Sequence, residues 1–192
     1  SIAIAASGDL YVSDFANHRV RRVDAVTGVI TTIAGSGSRE VAGDGGPAVS
    51  AGLPFPFGLA LDSQGSLYVA EDQQHRVRRV EVASGLITTV AGDGTGGSAG
   101  AGGPASQAHL AYPADVAVDR LGNLYIADGG NQRVRRVAAG VVSVVGPQPD
   151  SGTPGAVALR QNSPNPFNTQ TTIGYELDAP ASVTLTIFDL LG

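Results

Sequence analysis

Apolar residues fall in runs of three to five along most of this chain, and the runs are separated by turns carrying Gly, Asp or Asn. The runs repeat. Gly8-Asp9-Leu10-Tyr11-Val12 returns as Gly65-Ser66-Leu67-Tyr68-Val69 and again as Gly122-Asn123-Leu124-Tyr125-Ile126, a step of 57 each time. Arg19-Val20-Arg21-Arg22-Val23 returns at 76–80 and 133–137 by the same step. Ile2-Ala3-Ile4 matches Leu59-Ala60-Leu61 and Val116-Ala117-Val118. The third copy is two residues short before Gly140, then resumes as Val141-Val142-Ser143-Val144-Val145. Self-similarity at a fixed period marks a repeat architecture.

Each copy predicts four short strands, which in the second copy span 59–61, 67–70, 76–80 and 86–90. Gly65 and Gly85 sit where tight hairpin turns need permissive dihedrals. Four strands per unit, repeated, make the blade of a β-propeller. A blade that is apolar on both faces must stack on neighbours. The expected fold is all-β: a partial propeller of three four-stranded blades over 1–146. Two long Gly-rich inserts, 35–56 and 92–113, join the copies. Pro47 and Pro104 suit the first position of a helical turn, and Leu53 and Leu110 are the expected anchors. In a four-stranded meander the second turn and the connection to the next blade emerge at one end. The Asp14–His18 turn, its copies and both inserts should therefore share a face, and loops on a rigid scaffold commonly bind ligands.

The pattern changes after Gly146. Residues 147–158 are rich in Pro, Gly and Ser and read as a linker. In 159–192, Ile173, Tyr175 and Leu177 alternate, as do Val183, Leu185 and Ile187, with a turn at Asp178–Ala181. This predicts a hairpin of a truncated β-sandwich-like unit.

Composition narrows the chemistry. The 192 residues contain no Cys, Met or Trp, and only 5% are aromatic, so the core is built from Val, Ile, Leu and Ala. Without Cys there is no disulfide, thiolate zinc site or thiol catalysis. No apolar run reaches the roughly 18 residues of a membrane span. The net charge of −5 argues against a generally basic nucleic-acid surface. All twelve cations are Arg, nine of them in the Arg-Val-Arg-Arg-Val triplets, which are expected to pair with acids of neighbouring blades.

Residues 10–23, Leu-Tyr-Val-Ser-Asp-Phe-Ala-Asn-His-Arg-Val-Arg-Arg-Val, resemble the NHL repeat. Residues 29–37 and 43–48 resemble the long-insert form found in bacterial extracellular proteins. The resemblance implies a propeller, usually of six blades, of which this chain would be a fragment. Leu159-Arg160-Gln161-Asn162-Ser163-Pro164-Asn165-Pro166-Phe167-Asn168 resembles the opening of the C-terminal sorting domain of the type IX secretion system. Ser163 stands where that family more often has an aromatic residue, and the chain stops before the strands that complete the domain. This resemblance implies secretion, or the outer surface of a Gram-negative bacterium, with the secretion machinery as partner through 159–192.

Candidate chemistry is sparse. Asp14, Glu71 and Asp128 recur at the end of the second strand, with Asp72 beside Glu71. They read as turn caps or, less simply, as a carboxylate ring. His18 and His75 are equivalent, but Gln132 takes the third place, so a three-His metal site fails here. Asp44 faces Ala101 at the repeat step, which argues against a shared calcium loop. No nucleophile elbow, phosphate loop or dinucleotide fingerprint occurs. The sequence thus offers no catalytic residue, metal ligand or cofactor. It favours a non-catalytic binding scaffold for a protein or glycan, with Asp14, His18, Glu71, Asp72, His75 and Asp128 as the candidate face and no nucleic acid as partner. The alternative is a metal-dependent lyase- or lactonase-like propeller enzyme with its active site on other blades. Its one hint is Asp62 and Asp119 at the ends of inner strands.

Overall fold

The computed structural model describes residues 1–139, 142–145, 158–159, 175–176 and 184–187. One compact unit covers Ser1–Ala138 and a second covers Ala139–Asp189. The first is three antiparallel sheets. Blade one is β1 (Ile2–Ile4), β2 (Leu10–Asp14), β3 (Arg19–Val23) and β4 (Ile30–Ala34), paired in chain order. Blade two is β5 (Pro56–Leu61), β6 (Leu67–Glu71), β7 (Arg76–Glu81) and β8 (Leu86–Ala91), paired likewise. Blade three is β9 (Pro113–Val118), β10 (Leu124–Asp128) and β11 (Arg133–Val137). The architecture is an all-β partial propeller.

Local chemistry sets each hairpin. Asp62 Oδ1 accepts from the backbone N–H groups of Gln64 and Ser66, and Asp119 Oδ1 accepts from those of Leu121 and Asn123. These carboxylates close the first turn of blades two and three, as Asx side chains do. In blade one the third turn is closed by Asp24 Oδ1, which accepts from the N–H groups of Val26 and Thr27 and from the Thr27 hydroxyl. The register slips by one residue at Val20/Arg21 in β3–β4 and at the equivalent Val77/Arg78 in β7–β8, a repeated bulge that bends the outer strand.

The fourth strand of copy three is placed differently from the first two. β12 (Val142–Val145) pairs antiparallel with β15 (Thr184–Ile187) in the second unit, which also holds β13 (Ala158–Leu159) paired with β14 (Tyr175–Glu176). The connection that precedes β12 is also shorter. Six residues separate β3 from β4, including the Asp24 and Thr27 that close the turn, but Ala138-Ala139-Gly140-Val141 has neither group.

Two apolar cores lie between blades. Tyr11, Val20 and Ala34 of blade one meet Leu59, Leu67, Val69, Val80 and Ile87 of blade two. Tyr68, Ala70, Val77 and Val90 of blade two meet Leu110, Val116, Leu124 and Ile126. Inner strands β1, β5 and β9 run side by side. Gly58 allows this, since a Cβ there would lie 2.5 Å from the Asp115 Cα. Each insert folds back through one short 3-10 turn, Ala48–Ser50 or Ala105–Gln107, with Pro47 or Pro104 at the N-cap. The prolines therefore stand one place earlier than the first helical position. Leu53 and Leu110 are fully buried, as expected of anchors.

Candidate functional site

The turns after β2, β6 and β10 are single 3-10 turns that end in a left-handed residue: His18 (φ 56), His75 (φ 55) and Gln132 (φ 54). This backbone turns each histidine ring toward the insert that enters the next blade. His18 Nδ1 accepts the N–H of Phe55 at 3.2 Å, and His75 Nδ1 accepts that of Tyr112, also at 3.2 Å. Phe55 and Tyr112 are themselves 57 apart and left-handed, at φ 50 and φ 49. Their rings meet the imidazoles edge-on at 4.6 and 4.9 Å. In blade three, Asn131 Nδ2 donates to Gly97 O of the second insert. Turns and inserts do share a face.

A neutral imidazole accepts at one nitrogen only. The backbone donor recurs at Nδ1 of both histidines, so Nε2 carries the hydrogen. Arg39 Nε, 3.2 Å from His18 Nε2, is then a packing contact rather than a hydrogen bond. Its guanidinium lies 5.9 Å from the centre of the Phe55 ring, within cation–π range.

The carboxylates face inward more than the sequence implied. Glu71 and Asp128 are fully buried, whereas Asp14 and Asp72 are half-buried. Each of the recurring three meets the Arg seven places on in its own blade: Asp14–Arg21 at 3.6 Å, Glu71–Arg78 at 3.9 Å and Asp128–Arg135 at 3.4 Å. The triplet arginines thus find acids mainly within a blade. Arg78 is the exception, with Asp44 of the preceding insert 3.0 Å away. Asp128 accepts from Ala111 N–H and Asn131 Nδ2, and Asp14 accepts from Asn17 Nδ2, so neither caps its turn through the backbone. Glu71 has no hydrogen-bond partner among the described residues, and burial, against the pull of Arg78, pushes its pKa up to about 7. Burial also raises Asp72, which His75 opposes. Asp119 is held below the usual carboxylate range by the Asn123 side chain and by backbone donors. Asp62 and Asp119 are thus engaged in turns. Among the described residues no three His, Asp or Glu side chains gather as a metal site would require.

The same face carries a feature outside the repeat pattern. Phe15, in the turn after β2, packs at 5.2 Å on Phe55 and edge-on at 5.9 Å on Phe57. Phe15 and Phe57 are 39% and 47% exposed. In a chain so poor in aromatic residues, Phe15 bridging the half-buried Phe55 and the exposed Phe57 forms an unusual patch, with Asp14 next in sequence and His18 holding Phe55 in place. Tyr112, 54% exposed, is the second-blade counterpart of Phe55. Sequence reasoning sought recurring residues and passed over this patch. Phe15 aligns with Asp72 and Gly129, and Phe57 aligns with Ala114, so the usable signal was departure from the repeat.

Comparison with known proteins agrees with this architecture. Residues 110–137 match the NHL repeat. They span the end of the second insert and the three strands of blade three, so the chain is a partial β-propeller carrying an NHL repeat. Teneurin-3 of Mus musculus is 32% identical over 158 residues, covering 70% of this chain and 6% of that protein. A Bacteroides thetaiotaomicron structural genomics protein of unknown function is 25% identical with a TM-score of 0.61, over 68% of this chain and 32% of that one. An auxiliary nutrient binding protein from Bacteroides ovatus is 25% identical with a TM-score of 0.56, over 71% of this chain and 36% of that one. The chain thus spans a small part of its curated relative and about a third of each solved propeller.

Proposed function

We propose that this chain is a non-catalytic ligand-binding propeller of an exported or cell-surface protein, and that its loop face takes a glycan. The observation that carries the reading is the exposed pair Phe15 and Phe57, with Phe15 seated on the half-buried Phe55 that His18 pins. Rigid aromatic rings offer large contact area at low entropic cost, and the C–H face of a sugar ring packs flat against them. Asp14, Arg39 and, in blade two, Asp72 supply polar groups on the same face, with His18 and His75 as supports. The similarity to a nutrient binding protein from Bacteroides ovatus supports ligand capture. The test is isothermal titration with a panel of oligosaccharides. Phe57→Ala should weaken a binding sugar at least about tenfold, the loss of one well-packed contact. An unchanged Kd in Phe57→Ala, or a panel with no binder, sinks the glycan reading.

Export belongs to the same proposal. Residues 159–192 would act as the address read by the type IX machinery, and nearly all of them lie outside the described residues. The support is the Pro164-Asn165-Pro166-Phe167 core. Fractionating the host, with and without that machinery, should place the protein in the medium or on the surface only when the machinery is present. Identical partitioning in both strains would overturn it.

A further inference from the structure

Three departures from the repeat fall together on the loop face. Phe15 and Phe57 are two of them, and Arg39 is the third, since Gly96 stands at its place in the second insert. Phe15 lies in the turn after β2, Phe57 in β5, and Arg39 in the insert that joins blades one and two. All three therefore sit where two neighbouring blades and their connection are both described. The Phe55 ring joins them. The Arg39 guanidinium lies over it at 5.9 Å, Phe15 packs on it at 5.2 Å, and His18 meets it edge-on at 4.6 Å. The equivalent spot between blades two and three is bare. A Cβ on Gly96 would lie 3.1 Å from His75 Nε2, the place that the Arg39 side chain takes beside His18 Nε2. The residues that recur hold the loops, and the residues that differ converge on one spot.

That spot carries a positive charge with nothing to balance it. Arg21, Arg22, Arg78, Arg79 and Arg135 each have an acid partner, and Arg19 and Arg76 donate to backbone carbonyls. Arg39 is exposed, and its two terminal nitrogens have no partner among the described residues. Asp14, the acid beside Phe15, is engaged by Arg21 and Asn17. Glu40, next to Arg39 in the chain, forms no ion pair with it. A planar guanidinium presents paired N–H groups that match a carboxylate two to two. Since Arg39 and Phe15 both reach the Phe55 ring, one or two sugar residues span the distance between them.

We propose that this spot selects an acidic sugar, with Phe15 and Phe57 under the pyranose ring and Arg39 on the carboxylate of a hexuronate residue. The proposal rests on the glycan reading and narrows it. The chain as a whole is negative, at −5, so it does not draw anions to its surface in general. A preference for an acid has to come from a local cation, and Arg39 is the cation at the aromatic patch. Because Arg39 is exposed, the preference should shrink as salt is added.

Isothermal titration of the full chain with matched pairs of sugars tests it. The pairs are oligomers of galacturonate, glucuronate and mannuronate, each set against its methyl ester, which keeps the ring and removes the charge. The acid of at least one pair should bind about tenfold more tightly than its ester, as one charge-assisted contact gives. Arg39→Gln should bring that ratio close to one. Arg120→Gln removes the same charge from an exposed position in the turn between β9 and β10, at the other end of the strands, and should leave the ratio as it is. Phe57→Ala should weaken acid and ester alike. Acid and ester binding equally well would overturn the acidic-sugar proposal and leave the glycan reading standing. So would an acid preference that Arg39→Gln does not reduce, or a sulfated neutral oligomer that binds as tightly as the uronate. Failure of every sugar to bind would remove both readings.

Discussion

Glu71 differs from Asp128, its repeat counterpart, in what surrounds it. Ala111 gives Asp128 a backbone N–H, but the matching residue for Glu71 is Pro54, which has none. Asn131 gives Asp128 a second donor, and the matching Gln74 makes no such bond to Glu71. The longer carboxylate is buried beside Arg78 with its oxygens unsatisfied, so its folded pKa rises to about 7 from an ordinary 4.5. The folded state then holds a proton that the unfolded state releases. The stability this gives is complete below about pH 4.5 and declines as the pH climbs to about 7. Glu71→Gln should flatten that decline, which amounts to about 3 kcal/mol at 1.36 kcal/mol per pH unit. Urea unfolding of both proteins at pH 5 and pH 8 measures it, and equal slopes with pH would refute the assignment. Asp9, Asp24 and Asp119 act in a different window. Their pKa values are lowered, by backbone donors first for Asp9 and Asp24 and by the Asn123 side chain first for Asp119, so their contribution is lost only in acid. None of this was legible in the sequence, which shows an acid recurring but not whether the opposite loop residue has an N–H to offer.

At the scale of elements, the strands were legible and the inserts only half so. A Leu-Tyr-Val or Arg-Val-Arg-Arg-Val run kept at a fixed step fixes strand, register and blade together, because a one-residue slip would exchange the two faces. Leu53 and Leu110 were legible as anchors, while the 43–48 segment, which reaches across to the neighbouring strand, was not. A glycine-rich stretch carries no side-chain signal of what its backbone will pair with. The outer strand of copy three, β12, pairs with β15, and its shorter connection to β11 was legible as a two-residue deletion. Two substitutions probe the inserts. Leu53→Ala should cost about 2–5 kcal/mol of unfolding free energy, as for other buried leucines. Gly92→Ala should be severe as well, since Gly92 has φ 84 and a Cβ would lie 2.2 Å from His75 O. Denaturant midpoints give both, and a loss under about 0.5 kcal/mol, the range of ordinary surface changes, would mean that the inserts are held elsewhere.

For the whole molecule, the middle blade is the one with both faces covered. Every residue of β6 is buried, whereas β1 and β11 carry exposed positions. Amide exchange should therefore be slowest at Val69, Ala70 and Val77 and fastest in β1 and β11. Equal protection across the three blades would contradict this. Stacking order was legible from the period alone, but the aromatic patch was not, since repeat logic averages away what a single blade does differently. The 43–48 segment, whose backbone pairs with the outer edge of β8 through Gly45, Ala48 and Ile87, has one more consequence, for how such a chain can grow. The insert after blade one carries the segment, and blade two carries the edge that receives it. A gene duplication of one whole period therefore inserts a blade with all its fastenings, wherever within the period the breakpoints fall. A duplication out of phase would leave a segment without an edge. Selection would retain the step of 57 even where the sequence inside it drifts.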